Sequence, residues 1–158
     1  MRISRHHTFS RWLAFGPAAF ALAASLAVLA GPAAAASGAD VRQKVSSAEA
    51  AMLQAIAKHD TALLRRTIGG LGPLIEDALK RKKSGAQVSS CDLAAHSLGF
   101  AGTALSEAIA QKGEARKLLM DDARQAAADF NRDMSACDAQ VGQKTGNHAG
   151  VEKALRAL

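Results

Sequence analysis

The feature that most constrains this chain is an apolar pattern of helical period, which runs from residue 39 almost to the last residue. Apolar side chains recur every three or four positions, a spacing that places them on one side of an α-helix. Strands favour aromatic and β-branched residues, and only 4% of this chain is aromatic. The chain, with 158 residues, is long enough for one domain. We therefore predict a single all-α domain and find no segment that predicts a strand.

Breaks in the apolar pattern divide it into four long helices and a weaker fifth segment. Asp60 is the expected N-cap of the second helix, Ser89 or Ser90 that of the third, and Gly113 is expected to end the third. Short connections favour antiparallel neighbours, so the prediction is a small antiparallel four-helix bundle. The predicted helices cover about 40–59, 61–83, 90–112 and 114–141, with a weak helix at 147–157.

The second predicted helix contains an unusual segment rich in glycine, with Gly69, Gly70, Gly72 and Pro73. Proline removes a helical hydrogen bond and crowds the carbonyl four residues earlier, so we expect a kink or brief break near Pro73. Glycines inside a helix lower its stability unless close approach or bending is needed. We therefore interpret these four residues as a segment that admits a neighbouring helix, a ligand or a partner protein. The predicted apolar stripe crosses the segment through Leu64, Ile68, Leu71, Ile75 and Leu79.

The two cysteines test the predicted bundle. If the third and fourth helices form a hairpin that turns near Gly113, Cys91 faces a residue near 135–137, and Cys137 is the only other cysteine. Both cysteines also lie on the predicted inward stripes of their helices. We therefore predict a disulfide between Cys91 and Cys137, as expected for a cysteine pair in an exported chain.

Residues 1–36 have the three parts of a secretory signal peptide. The basic part precedes an apolar stretch from Trp12 to Ala30, and small residues follow up to Ala36. We predict cleavage after Ala36 on the general secretion route, which leaves a periplasmic or secreted domain of residues 37–158. The alternative is a retained membrane anchor, because the apolar stretch approaches the roughly 20 residues that span a bilayer. The cations of the basic part are Arg2, Arg5 and Arg11.

Removal of the signal also changes the charge of the chain. The full sequence has 20 Lys and Arg against 14 Asp and Glu, a formal charge of +6, and removal of the three signal arginines leaves +3. A nucleic-acid-binding protein commonly has a concentrated basic face, so this partner is not expected. The run from Lys80 to Lys83 is interpreted as cations at a helix C-terminus, with attraction to an anionic envelope surface as the alternative. Membrane contact is expected only transiently, through the signal peptide.

Few residues suggest a metal or a cofactor. The haem-attachment motif CxxCH is absent, and Asp92 with His96 supplies only two ligands on one helical face. Haem held by a Met and a His from different helices is the remaining alternative. Its candidate ligands are Met52, Met134, His59 and His148. No cofactor and no metal is expected.

Catalytic motifs are equally scarce. The sequence contains neither a GxSxG motif nor a glycine-rich phosphate loop. Asp122, Asp129 and Asp133 lie along one side of the fourth helix, but Arg124 and Arg132 are close, which favours a salt-bridged, solvated face. We therefore expect an exported, non-catalytic protein that binds a partner protein in the cell envelope. The alternative is a periplasmic bundle that binds haem, a metal or a small ligand.

Overall fold

A computed structural model describes residues 37–158, and the predicted signal peptide lies outside the described residues. This part of the chain is all-α, as predicted, but it has five helices where the bundle prediction has four. The additional helix is the weak closing segment, which packs against α1 and α4. None of the helices within residues 37–158 has the length and hydropathy required to cross a membrane. The helices are α1 (Gly38–Lys58), α2 (Thr61–Lys83), α3 (Ser90–Ala110), α4 (Gly113–Gln140) and α5 (Gly150–Arg156).

Side-chain caps explain where the first three helices begin. The Asp60 carboxylate accepts a hydrogen bond from the Leu63 N–H at 2.8 Å, which confirms its role as the N-cap of α2. Ser89, rather than Ser90, caps α3, and it forms a reciprocal capping box with Asp92. The first helix, α1, also begins with a reciprocal capping box, which Ser37 and Asp40 form. Reciprocal caps satisfy N–H groups that the first turn of a helix leaves without partners.

The helices α3 and α4 form the most extensive contact of the fold, and a disulfide joins them. Cys91 and Cys137 are bonded with their Cα atoms 4.6 Å apart, and both side chains are fully buried. This is the register that follows from a hairpin that turns near Gly113, which has a φ of +59° at the start of α4. The predicted disulfide is therefore present.

Small residues on α3 let α1 and α2 approach it closely. A Cβ atom on Gly102 would lie 2.8 Å from both Met52 and Ile68, and one on Gly99 would lie 3.0 Å from Ile75. The approach of α1 and α2 therefore depends on the absence of side chains at these two positions. Large side chains from α1, α3 and α4 fill the rest of the core, including Val45, Met52, Leu98, Leu105, Phe130 and Met134.

Two details of the second helix differ from the prediction. The helix continues without a break from Thr61 to Lys83, so the brief break expected as the alternative to a kink at Pro73 is absent. Leu79, predicted to face the core, is 49% exposed, while Leu74 and Ala78 are buried in its place. The buried residues of α2 are spaced alternately by three and four and stay on one side of the helix, whereas two successive four-residue steps from Leu71 carry the predicted stripe off this side at Leu79.

Candidate functional site

The glycine-rich segment of α2 lies at the protein surface. Gly69, Gly70 and Pro73 are exposed, and Gly72 is half-buried. A Cβ atom added to any of the three glycines would meet no atom within 4 Å. These glycines therefore do not serve close packing of helices within residues 37–158.

Substitution of glycine by alanine should distinguish the surface glycines from those in the core. Gly69→Ala is expected to raise the free energy of unfolding by about 0.5–1 kcal/mol, because alanine favours the helix and has open space around it. Gly102→Ala is expected to lower it by about 1–3 kcal/mol, because the new methyl group overlaps Met52 and Ile68. Urea denaturation of the two variants measures both changes. Equal effects of the two substitutions would contradict the packing described above.

A polar groove lies between α1 and α2, beside this segment. Its volume is about 640 Å³, and Gly70 forms part of its wall. The charged side chains that line it are Asp40, Lys44 and Arg66. These groups carry both signs of charge, so the groove shows no clear preference for an anion or a cation.

A second groove, between α2 and α3, is predominantly apolar. Its volume is about 450 Å³, and Leu79 and Leu93 line it with exposed fractions of 49% and 47%. Phe100 follows Leu93 by two helical turns on the same side of α3 and is 52% exposed. Large apolar side chains that cluster at a surface commonly mark a site of protein–protein interaction. We call the surface formed by Ile75, Leu79, Leu93, His96 and Phe100 the apolar patch.

Cations border the apolar patch on one side. Lys82 lines the groove, the exposed Lys83 follows it at the end of α2, and the exposed Lys80 contacts Asp77 on another side of the helix. Arg81 differs from these lysines because it donates a hydrogen bond of 2.6 Å to the carboxylate of Asp92. The basic run is therefore divided among the ion pair of Arg81 with Asp92, the surface pair of Lys80 with Asp77, and two exposed lysines, Lys82 and Lys83, at the patch end of α2.

The carboxylate of Asp92, in the first turn of α3, is buried. Burial disfavours its negative charge, but hydrogen bonds from Arg81 and Ser89 outweigh this effect and lower the pKa of Asp92. His96 remains exposed and forms part of the apolar patch. The two side chains therefore do not converge on a metal-binding position.

A buried polar cluster joins α1, α4 and the loop before α5. The carboxylate of Asp138 is fully buried and accepts hydrogen bonds from Arg42 Nε and from the Gly146 N–H, both at 2.8 Å. Burial opposes its charge, but the hydrogen bonds from Gly146, His148 and Arg42 outweigh this effect and lower the pKa of Asp138 to about 2. Asp138 is therefore the anion that fastens this loop to the bundle.

His148 completes the buried cluster. Its Nδ1 lies 2.9 Å from a carboxylate oxygen of Glu49, and its Nε2 lies 3.0 Å from Asp138. Burial disfavours the imidazolium, but the two carboxylates outweigh this effect and raise the pKa of His148 above its usual value. The sequence offers His148 only as a candidate haem ligand and does not reveal this cluster, because its partners lie 10 and 99 residues away along the chain.

The remaining candidate ligands lie apart from one another. Met52 and Met134 are buried in the apolar core, and His59 is exposed at the C-cap of α1 with a φ of +53°. Both ring nitrogens of His148 contact carboxylates. Within residues 37–158, no three His, Cys, Asp or Glu side chains are arranged to hold a metal ion.

The acidic side of α4 forms local ion pairs with arginines. Arg124 contacts Asp121, and Arg132 contacts both Asp129 and Asp133. Asp133 also accepts a hydrogen bond from Ser97 on α3 at 2.6 Å. The expected salt-bridged face is therefore present.

Comparison of the chain with protein-family models, with curated proteins and with solved structures gives no match. A function must therefore be inferred from the surfaces and clusters described above.

Proposed function

We propose that this protein is a non-catalytic binding protein of the cell envelope, and that it recognises a partner protein through the apolar patch on α2 and α3. The observation that carries the proposal is the exposure of Leu79 and Leu93, which line one groove, and of Phe100, which lies two turns beyond Leu93 on the same side of α3. Burial of apolar area provides about 25 cal/mol for each Å², and three half-exposed large side chains offer such area to a partner.

The shape and charge of the apolar patch indicate the chemistry of the partner. The groove follows the line between two helices, a form that suits an amphipathic helix laid along it. Lys82 lines the groove and the exposed Lys83 follows it, and these cations favour acidic side chains next to the apolar ones. The proposed partner segment is therefore an amphipathic helix with an apolar face and acidic flanks.

The location in the cell envelope has separate support. A disulfide that links two buried cysteines is compatible with an oxidising compartment. The basic, apolar and small-residue parts of residues 1–36 match a secretory signal peptide. Both features support export.

The proposal can be tested with two synthetic helical peptides that share the same leucine face. One peptide has Glu on its polar flanks, and the other has Lys at the same positions. We expect the acidic peptide to bind the protein and the basic peptide to bind at least about tenfold more weakly, with an affinity that falls as salt increases. Fluorescence anisotropy of the labelled peptides measures both affinities.

Matched variants localise the binding to the apolar patch. Leu93→Glu and Phe100→Glu are both expected to abolish binding of the acidic peptide, and their exposure makes the substitutions compatible with folding. The control is Leu118→Glu on α4, where an equally apolar side chain is 58% exposed away from the patch. Equal binding of the two peptides would contradict the proposal, as would a loss of binding in the control variant.

A further inference from the structure

The exposed side of α2 has positive charges on one side of its centre and negative charges at matching distances on the other. Arg65 and Arg66 lie on one side of the glycine-rich segment, and Glu76 and Asp77 lie on the other, all of them exposed. The midpoint of this arrangement is Leu71, whose own side chain faces the core. We call the exposed surface formed by Arg65, Arg66, Gly69, Pro73, Glu76 and Asp77 the glycine face.

We infer that α2 packs against α2 of a second copy of this chain, antiparallel and across the glycine face. In this arrangement a two-fold axis passes beside residue 71. A residue that precedes position 71 on one helix therefore lies opposite the residue that follows position 71 by the same number of positions on the other helix. This inference concerns a surface separate from the apolar patch and does not depend on the proposed partner protein.

The positions of the charges fit an antiparallel pair. Arg65 and Glu76 are eleven residues apart, about three helical turns, so they lie along the same edge of the glycine face. Arg66 and Asp77 share the opposite edge for the same reason. A two-fold axis through the middle therefore places Arg65 near Glu76 of the second copy, and Arg66 near Asp77 of the second copy. A parallel pair would instead place like charges together.

The charges of the glycine face are largely free to form these contacts. Within residues 37–158, neither arginine forms an ion pair, nor does Glu76. Asp77 contacts Lys80 at 3.7 Å, and both of these side chains are exposed. An exposed pair of this kind contributes little to stability, so Asp77 can exchange Lys80 for an arginine at little cost.

The centre of the glycine face allows the two helix backbones to come close. Gly69 and Pro73 occupy the middle of the exposed side, and a Cβ on Gly69 would have open space around it. Small residues at such a crossing allow an interaxial distance near or below the usual 8–10 Å. This close approach gives the exposed glycines a role that packing within one copy does not.

The size of the glycine face sets the expected strength of the dimer. The segment from Arg65 to Asp77 is about 18 Å long at 1.5 Å per residue. Contact along one helix of this length falls below the usual 1,200–2,000 Å² of a stable interface, so we expect a weak dimer with a dissociation constant on the order of 100 µM. Added salt is expected to weaken it further, because the contacts at its edges are ionic.

Sedimentation equilibrium of the full chain, from low to high protein concentration, tests the inference. The wild-type protein is expected to pass from monomer to dimer. Arg65→Glu combined with Arg66→Glu should remain monomeric, and so should Glu76→Arg combined with Asp77→Arg. The protein with all four charges reversed should dimerise again, because an antiparallel pair then regains every opposite-charge contact.

Two further variants control for charge and for folding. Lys112→Glu combined with Lys117→Glu changes the net charge by the same amount as the arginine pair, at exposed positions outside the glycine face, and should still dimerise. Gly69→Leu should remain monomeric with an unchanged or higher melting temperature, since its side chain has room in the free protein.

Wild-type protein that stays monomeric at every concentration would overturn the inference. So would a dimer that survives the reversal of both arginines. Binding of the acidic peptide to the apolar patch should be retained in the arginine variants, which separates this test from that of the proposed function.

Discussion

Replacement of both cysteines by alanine is expected to lower the melting temperature by about 15 °C while the helical circular-dichroism signal of the folded state changes little. Cys91 and Cys137 are separated by 46 positions in the sequence. A cross-link over a loop of this length lowers the entropy of the unfolded chain, which raises the free energy of unfolding by about 4 kcal/mol at 25 °C. The helices should persist because their apolar stripes and caps do not involve the sulfur atoms.

Alanine is the appropriate replacement, because both positions are fully buried and a serine hydroxyl would need a hydrogen-bond partner there. Reduction of the wild-type protein with dithiothreitol supplies a control without any substitution, and it should give a similar decrease. Thermal unfolding followed at 222 nm measures both. A melting temperature that is unchanged in the double variant would mean that the α3–α4 hairpin closes without the disulfide.

The disulfide and the helical class could be predicted because both depend on local repetition. The apolar period marks each helix, and a hairpin that turns near Gly113 relates residues by a simple reversal of numbering. The caps at Asp60 and Ser89 follow from short-range hydrogen bonds that a sequence displays directly. Signals that depend on near neighbours in the chain are therefore readable from the sequence.

The exposed leucine and the buried polar cluster could not be predicted in the same way. Leu79 fits the predicted apolar stripe of α2, but the core contacts Leu74 and Ala78 instead, and only the orientation of α2 in the fold decides between these positions. His148 and Glu49 are 99 residues apart in sequence, and only the docking of α5 and its preceding loop brings them together. Asp138 follows the buried Met134 by four positions, about one helical turn, which is a local sign that its side chain faces inward.

The glycine-rich segment shows that glycines inside a predicted helix do not by themselves indicate whether those residues lie in the core or at the surface. The sequence identifies Gly69, Gly70 and Gly72 as costly in a helix, and close packing against a neighbour is the ordinary explanation. In the fold, that packing role belongs to Gly99 and Gly102 on α3. Both sets of glycines lie in amphipathic helices, so the choice between core and surface required the observed orientation of each helix.

Asp138→Asn is expected to lower the free energy of unfolding by about 3–5 kcal/mol near pH 6, because it leaves the half-buried Arg42 and the buried His148 without their shared anion. Asp121→Asn is the matched control, since Asp121 pairs with Arg124 at the surface and its loss should cost less than about 1 kcal/mol. Urea denaturation of the three proteins gives these values. A midpoint for Asp138→Asn that equals that of the control would show that the cluster does not stabilise the fold.

The same substitution should make part of the pH dependence disappear. The pKa of Asp138 is lowered to about 2, so its contribution is complete above the unfolded value of about 3.9 and is lost as the pH falls towards 2. The pKa of His148 is raised, so its contribution is complete below the unfolded value of about 6.5 and is lost as the pH rises through the folded pKa. The difference in unfolding free energy between wild type and Asp138→Asn should therefore be largest between about pH 4 and 6.5 and smaller on both sides. A difference that stays constant from pH 2 to the alkaline range would mean that the loop before α5 is held by packing rather than by these charges.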